Sequence, residues 1–368
     1  DFDIGTDASP SRLRRLFRNS RVIGRRFKIV HVWFPGGKVI EVATFRASSV
    51  EQDDEDEPDV LARDNTFGTP AEDAFRRDIT INGLFYDVAS NSVIDFVNGM
   101  ADLKAGVIRS IGDPFRRFRE DPVRIIRAIR HAARSDFQIE EETWRAIEEL
   151  HDGIRLCSPS RVIEEFLRDL RGGAAARAFP MLCEVGVLDG FSPTFAELVR
   201  EGSGGPGESV KKELLTVLNV IDERIGAGEA TSDAVILASL FFPLAKHVAG
   251  TESDGAHPAP HGWERVISQP IKAVAREFGI TRRMTEGYAE LLGNIWRVFL
   301  PNDRSFRRLA NRQMIGDYLI LLEILERAGE RFVLNWRECP LVPAPSRRSG
   351  RRRPRSRRRG APKGPPAE

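Results

Sequence analysis

Apolar positions along this chain change period partway through. At 21–34 the stretch "RVIGRRFKIVHVWF" alternates apolar and polar residues and is rich in β-branched and aromatic side chains. "VIEVATFR" at 39–46 alternates again, and "PGGK" between them is a turn. The pattern predicts a hairpin. Before it, "PSRLRRLFR" at 10–18 spaces Leu13, Leu16 and Phe17 as one side of a short helix. A helix near 71–86 follows, then a short strand pair around 93–96 and 107–111. From about residue 119 the helical period dominates. It predicts helices near 119–135, 140–152, 159–171, 174–185, 209–227, 232–247, 264–278, 284–299 and 311–328.

Three stretches break the periodicity. "SVEQDDEDEPDVLARDN" at 49–65 is acidic and contains proline, and is expected to be a mobile loop. "EGSGGPGES" at 201–209 has linker composition, and 247–262 reads as another loop. The element order predicts an α+β chain: a small mixed sheet, then all-α domains, then a tail.

At 368 residues two or three domains are expected. The longest apolar runs fall far short of a membrane span. Cys157, Cys183 and Cys339 are scattered and match no metal-ligand spacing, which suits a reducing, cytoplasmic compartment. The net charge of +2 hides a division. Between Arg347 and Glu368 stand nine arginines, one lysine and one glutamate, a net +9, so the remainder carries −7. The tail has no apolar residue able to build a core, and its density of arginine, including Arg351, Arg352, Arg353, Arg357, Arg358 and Arg359, suits nucleic-acid phosphates.

Three strings carry candidate chemistry. In "DFDIGT", Asp1 and Asp3 stand two apart and share a face if the segment is a strand; paired carboxylates suit hard divalent cations. Glu41 stands in the second hairpin strand on one face with Val39, Ala43 and Phe45, a carboxylate among apolar neighbours. In "AEDAFRRDITINGLFYD", Arg76, Arg77 and Asp78 stand together, and Asn82 follows Asp78 by four, one helix face on the helical reading. Asp and Asn can bond a ribose, and Arg can bond a phosphate or a base. In "FREDPVRIIRAIRHAAR", Val123, Ile126, Ile129 and Ala133 form an apolar face opposite Arg124, Arg127, Arg130 and Arg134. A solvated basic face would explain the apolar stripe but not four arginines without a lysine.

Together, in this order, the strings resemble the class II nucleotidyltransferases, the family of bacterial poly(A) polymerases and CCA-adding enzymes. "DFD" resembles the family's metal-binding pair, "RRDITIN" its ribose-recognising RRDxTxN motif, and "EDPVR" its base-reading EDxxR motif. The likeness runs from Asp1 to about Leu170. It implies a polymerase-β-like catalytic domain over 1–115, a helical nucleotide-recognition neck over 116–200, a helical RNA-binding region over 209–338 and a disordered tail over 339–368.

The resemblance also implies roles. Asp1 and Asp3 would hold two Mg²⁺ ions. Glu41 is the candidate for the third acidic position and Glu72 its rival, since the family often has paired glutamates before RRD. Arg77, Asp78 and Asn82 would meet ribose and phosphates. Asp121 and Arg124 would pair with the base edge, and Arg127 and Arg130 would support them or contact the triphosphate. The implied activity is template-independent transfer of AMP from ATP to RNA 3′ ends, with pyrophosphate released. A CCA- or A-adding tRNA enzyme and a non-catalytic RNA-binding adaptor are the alternatives. The tail and the "LFRNSRVIGRRFKIVHVWF" stretch favour a poly(A) polymerase. The family's glycine-rich GGxVRD-type motif, which precedes the DxD strand, is not in this sequence. The expectation is a chain cut inside its catalytic domain and inactive as it stands.

Overall fold

A computed structural model describes residues 3–24, 28–47, 67–200, 206–251, 270–299, 306, 309 and 313–338. The acidic stretch 49–65 and the arginine tail, with Arg351, Arg352, Arg353, Arg357, Arg358 and Arg359, lie outside the described residues, as does Asp1.

The chain opens with β1 (Asp3–Thr6) and α1 (Pro10–Leu16), whose first turn is capped by the Ser9 hydroxyl. β2 (Ser20–Ile23), β3 (Ile29–Trp33) and β4 (Val39–Thr44) complete a four-stranded sheet in the order β1-β4-β3-β2. β1 runs parallel to β4 and the other pairs are antiparallel. The 21–34 stretch is thus two strands rather than one. Gly36 and Gly37, both at positive φ, make the β3–β4 turn. α1 covers one sheet face, where Leu13, Val30, Val32 and Val42 are buried. The other face carries Glu41 and the side chains that alternate with it.

After α2 (Pro70–Phe75) the predicted helix over 71–86 stops. The chain bends through Arg77 and Asp78, makes a 3-10 turn (Thr80–Gly83) and enters β5 (Leu84–Asp87). Three β-branched residues, Ile79–Ile81, followed by an Asn-Gly pair, disfavour helix here. Gly83 is required, because a Cβ would stand 2.6 Å from a Val97 methyl carbon. β5 pairs with β6 (Ser92–Asp95), so the partner of 93–96 comes from the segment expected to be helical. α3 (Gly99–Ala105) was not anticipated. β7 (Val107–Ile108) pairs instead with β8 (Gln138–Ile139).

The helix expected over 119–135 is two: α4 (Pro114–Glu120) and α5 (Val123–Ser135). Asp121 between them is extended, as the residue before Pro122 prefers. There follow α6 (Glu141–Leu150), α7 (Pro159–Leu170), α8 (Ala175–Glu184), α9 (Val187–Phe191), α10 (Pro193–Val199), α11 (Pro206–Gly226), α12 (Asp233–Thr251), α13 (Pro270–Glu277), α14 (Arg282–Asn294) and α15 (Ile315–Arg327). α11 begins inside the expected linker. One contiguous apolar core runs through this helical part, from Ile79 to Leu334. Among the described residues no helix is long and apolar enough to cross a membrane.

Candidate active site

The parallel register sets Asp3 opposite Glu41, and the antiparallel register sets His31 opposite Glu41 and Arg21 opposite His31. Opposed residues share a sheet face, so four polar side chains cross the sheet in one row. His31 Nε2 lies 3.0 Å from Glu41 Oε1. Asp3 is exposed, and about half of the Glu41 side chain is open to solvent.

The rival carboxylate is engaged elsewhere. Glu72 sits at the third position of α2 and accepts from the Thr69 amide at 2.7 Å and its hydroxyl at 2.9 Å, a reciprocal capping box. These bonds hold the Glu72 carboxyl below its ordinary range. Among the described residues no group of three His, Cys, Asp or Glu could hold a metal.

Just past the end of β4, four residues beyond Glu41, Phe45 packs across Gly5, where a Cβ would come within 2.5 Å of its ring. Phe45 meets Phe85 edge to face, and the Arg77 guanidinium lies 5.1 Å over the Phe85 ring. The carboxylate face is thereby joined to the RRD segment. Arg77 also donates to the Asn82 carbonyl at 2.9 Å and to Asp73 at 3.0 Å. Asp73 takes Arg76 as well, at 2.6 Å. Burial alone would raise the Asp73 pKa, but the two guanidiniums hold it low. Arg117, from α4, donates to the carbonyls of Arg76 and Arg77 at 2.8 and 2.7 Å and fixes the bend.

Asp78 and Asn82 are not on one helix, yet both face α5. Asp78 accepts from Arg127 Nη1 at 2.9 Å and forms an ion pair with Arg124, whose Nε lies 3.0 Å from its Oδ1. Asn82 Nδ2 lies 3.2 Å from His131 Nε2. Burial, then Arg130 and Arg134, push His131 down to about 4, so at neutral pH its Nε2 accepts from the amide.

Arg124, Arg127 and Arg130 of α5 are not a solvated face, whereas Arg134 is exposed. Arg127 donates to Glu165 at 2.8 Å, and Arg130, itself buried, donates to Glu165 and Asp169 of α7. Arg124 also reaches Glu120 at 3.3 Å. An alternating ladder results: Glu120, Arg124, Asp78, Arg127, Glu165, Arg130, Asp169. The sequence reading left Arg127 and Arg130 either to support Asp121 and Arg124 or to contact the triphosphate; Arg130 is buried within this ladder. Asp121 stands at the break before α5. Arg161 of α7 donates to its Oδ2 at 2.8 Å, and Oδ1 has no hydrogen-bond partner.

Sequence reasoning missed His31, Asp73, Arg117, His131, Arg161, Glu165 and Asp169. Asp73 alone had a local signal, its i+3 and i+4 spacing to Arg76 and Arg77. The others act on residues that are distant along the chain or reached only across the sheet.

Comparison with known proteins decides the family. Residues 1–109 match the family described as "Poly A polymerase head domain", and 136–198 match "Probable RNA and SrmB- binding site of polymerase A". Poly(A) polymerase I of Escherichia coli O6:H1 is 34% identical, over 99% of this chain and 82% of that protein. The chain belongs to the poly(A) polymerase family. Poly(A) polymerase I of Haemophilus influenzae is 32% identical over 80% of the chain and 65% of its own length. A CCA-adding enzyme of Lactobacillus helveticus is 37% identical, but over 50% of the chain and 45% of that protein. Among solved structures, the Bacillus stearothermophilus CCA-adding enzyme in complex with CTP shares the fold with a TM-score of 0.59, 21% identity and coverage of 88% of this chain and 68% of that one. The α+β class expected of the sequence is that fold. The ladder arginines of α5 lie between the two matched segments, so for this poly(A) polymerase family member their arrangement comes from the structure alone.

Proposed function

We propose that this protein extends RNA 3′ ends with AMP drawn from ATP, without a nucleic-acid template, releasing pyrophosphate. The observation that carries the reading is the continuous path from Asp3 and Glu41, across Phe45 and Phe85, to Arg77, Asp78 and the α5 arginines. A nucleoside triphosphate could lie along it with its α-phosphate at the carboxylates and its base toward Asp121 and Arg124. Likeness to poly(A) polymerase I over 99% of this chain and 82% of that protein favours ATP over CTP.

In this reading the RNA 3′-hydroxyl oxygen bonds to the α-phosphorus of ATP. The bond from that phosphorus to the oxygen leading to the β-phosphorus breaks, and the hydroxyl proton is lost. Asp3 and Glu41 present hard oxygen donors on neighbouring strands, the chemistry Mg²⁺ takes, and with Asp1 they would hold ions that lower the hydroxyl pKa and offset the pyrophosphate charge. Glu72, held by its cap, stays outside this set. Arg77 steers phosphates and Asp78 and Asn82 meet the ribose. The Asp121 carboxylate would accept from an amino group of the base, and Arg124 would donate to a ring nitrogen. Arg127 and Arg130 act through Asp78 and Glu165, fixing Arg124 before the nucleotide arrives. The scattered thiols fit a cytoplasmic setting.

The protein, purified with the glycine-rich segment that the family resemblance expects ahead of Asp1, is offered Mg²⁺ and either ATP or CTP with an unstructured oligonucleotide and with a tRNA lacking its CCA end. Long A-tails on the oligonucleotide with CTP unused are expected. Addition of two C and one A confined to the tRNA would make the chain a CCA-adding enzyme. Addition to neither would favour the RNA-binding adaptor.

A further inference from the structure

We infer that Trp33 is the stacking platform for the 3′-terminal base of the acceptor RNA. The inference rests on the polyadenylation reading and names a subsite within it. Trp33 pairs with Val39, and the next same-face pair along the hairpin is His31 with Glu41, beside Asp3. Two residues along a strand is about 6.6 Å, so the indole stands next to the carboxylate row at the span of a single nucleoside. It is 39% exposed, and Val39, its partner on the same face, is 40% exposed. This apolar surface lies on the face that α1 does not cover.

Position along the sheet decides the occupant. Toward Phe45, the carboxylate face is taken up by Phe85 and the nucleotide-binding arginines. The acceptor strand is left the opposite end, where Trp33 stands. The ring is braced rather than loose: His31 meets it at 6.1 Å between centroids and 62° between planes. Arg21, exposed on β2 opposite His31, supplies a cation on the same face for a backbone phosphate. An aromatic surface with a flanking cation is how single strands are held without sequence readout, since every base has a π face. With the terminal base on Trp33, its ribose hydroxyl falls toward Asp3 and Glu41.

The test uses a short oligoadenylate and the same RNA with an abasic 3′-terminal nucleotide. Binding is measured by fluorescence anisotropy without ATP, and KM for each RNA by AMP incorporation. The wild-type protein should bind the intact end about tenfold more tightly than the abasic end. Trp33→Ala should lose that factor on intact RNA, be indifferent to the abasic end, and keep its KM for ATP. Trp33→Tyr should restore the discrimination and Trp33→Leu should not, which separates stacking from mere apolar bulk. The inference is overturned if Trp33→Ala still discriminates the two ends, if the wild type never does, or if Trp33→Ala changes only self-association measured by light scattering. Binding needs no turnover. A protein that discriminates the ends but incorporates no nucleotide would therefore sink the polyadenylation reading and leave the platform standing.

Discussion

Asp3 and Glu41 are direct neighbours across a parallel strand pair, and His31 holds Glu41 from the other side. That pairing puts Glu41 beside Asp3 while Glu72 is tied into its capping box, so mutation can tell apart the two glutamates the sequence left as rivals. Glu41→Gln should lower AMP incorporation at least a hundredfold with RNA binding and melting temperature nearly unchanged. Glu72→Gln should do the reverse: activity within a few-fold of wild type, with a small fall in melting temperature as the capping box loses its charge. Steady-state kinetics beside thermal unfolding checks both. An inactive, fully stable Glu72→Gln would return the third position to Glu72.

Glu165 bridges two arginines of α5 from inside the protein, its side chain 5% exposed. Burial would raise its pKa, and Arg130 and Arg127 more than reverse this. Glu165→Ala leaves both guanidiniums short of a partner and should cost about 3–5 kcal/mol, read by urea denaturation. Glu165→Gln, which keeps the shape but replaces one of the two accepting oxygens with a donor NH2, should cost less than the alanine and show mainly as a higher KM for ATP, because Arg127 and through it Asp78 are less firmly set.

His131 supplies the pH dependence. Its folded pKa, near 4, lies below the ordinary value of 6.5, so between those limits the unfolded chain binds the proton that the folded chain refuses. Stability from this group is present above pH 6.5 and lost as pH falls toward 4, on the order of 3 kcal/mol in all. The groups facing it are Arg127, Arg130 and Arg134, which oppose its charging, and Asp78, which favours it. His131→Gln can still accept from Asn82 and should flatten the acid limb of a stability-versus-pH curve. An unchanged limb would assign acid lability to the carboxylates alone.

Removing residues 347–368 takes away ten cationic side chains and one carboxylate. RNA affinity should fall, and the slope of log affinity against log salt should become shallower, while the KM for ATP stays put. An identical salt slope would mean that the arginines meet no phosphate.

Local pattern alone determined a good deal. Alternation placed β3 and β4, apolar spacing placed α6 to α8 and α11 to α15 but not the short α9 and α10, and three short strings marked β1, the RRD bend and α5, since each is encoded by residues within a turn or two of one another. What failed were boundaries where two local preferences compete. Asp121 before Pro122 split a helix, and the β-branched run at 79–81 ended another. Tertiary structure alone decided which acid meets which base. Asp3 and Glu41 are 38 positions apart and are joined only by strand register, and Arg130 reaches Asp169 only because α5 and α7 pack together. Helical spacing told that four arginines share one side of α5. It could not tell that acids wait there, because a buried charge is tolerable only when the folded chain brings its partner, and that partner leaves no local mark.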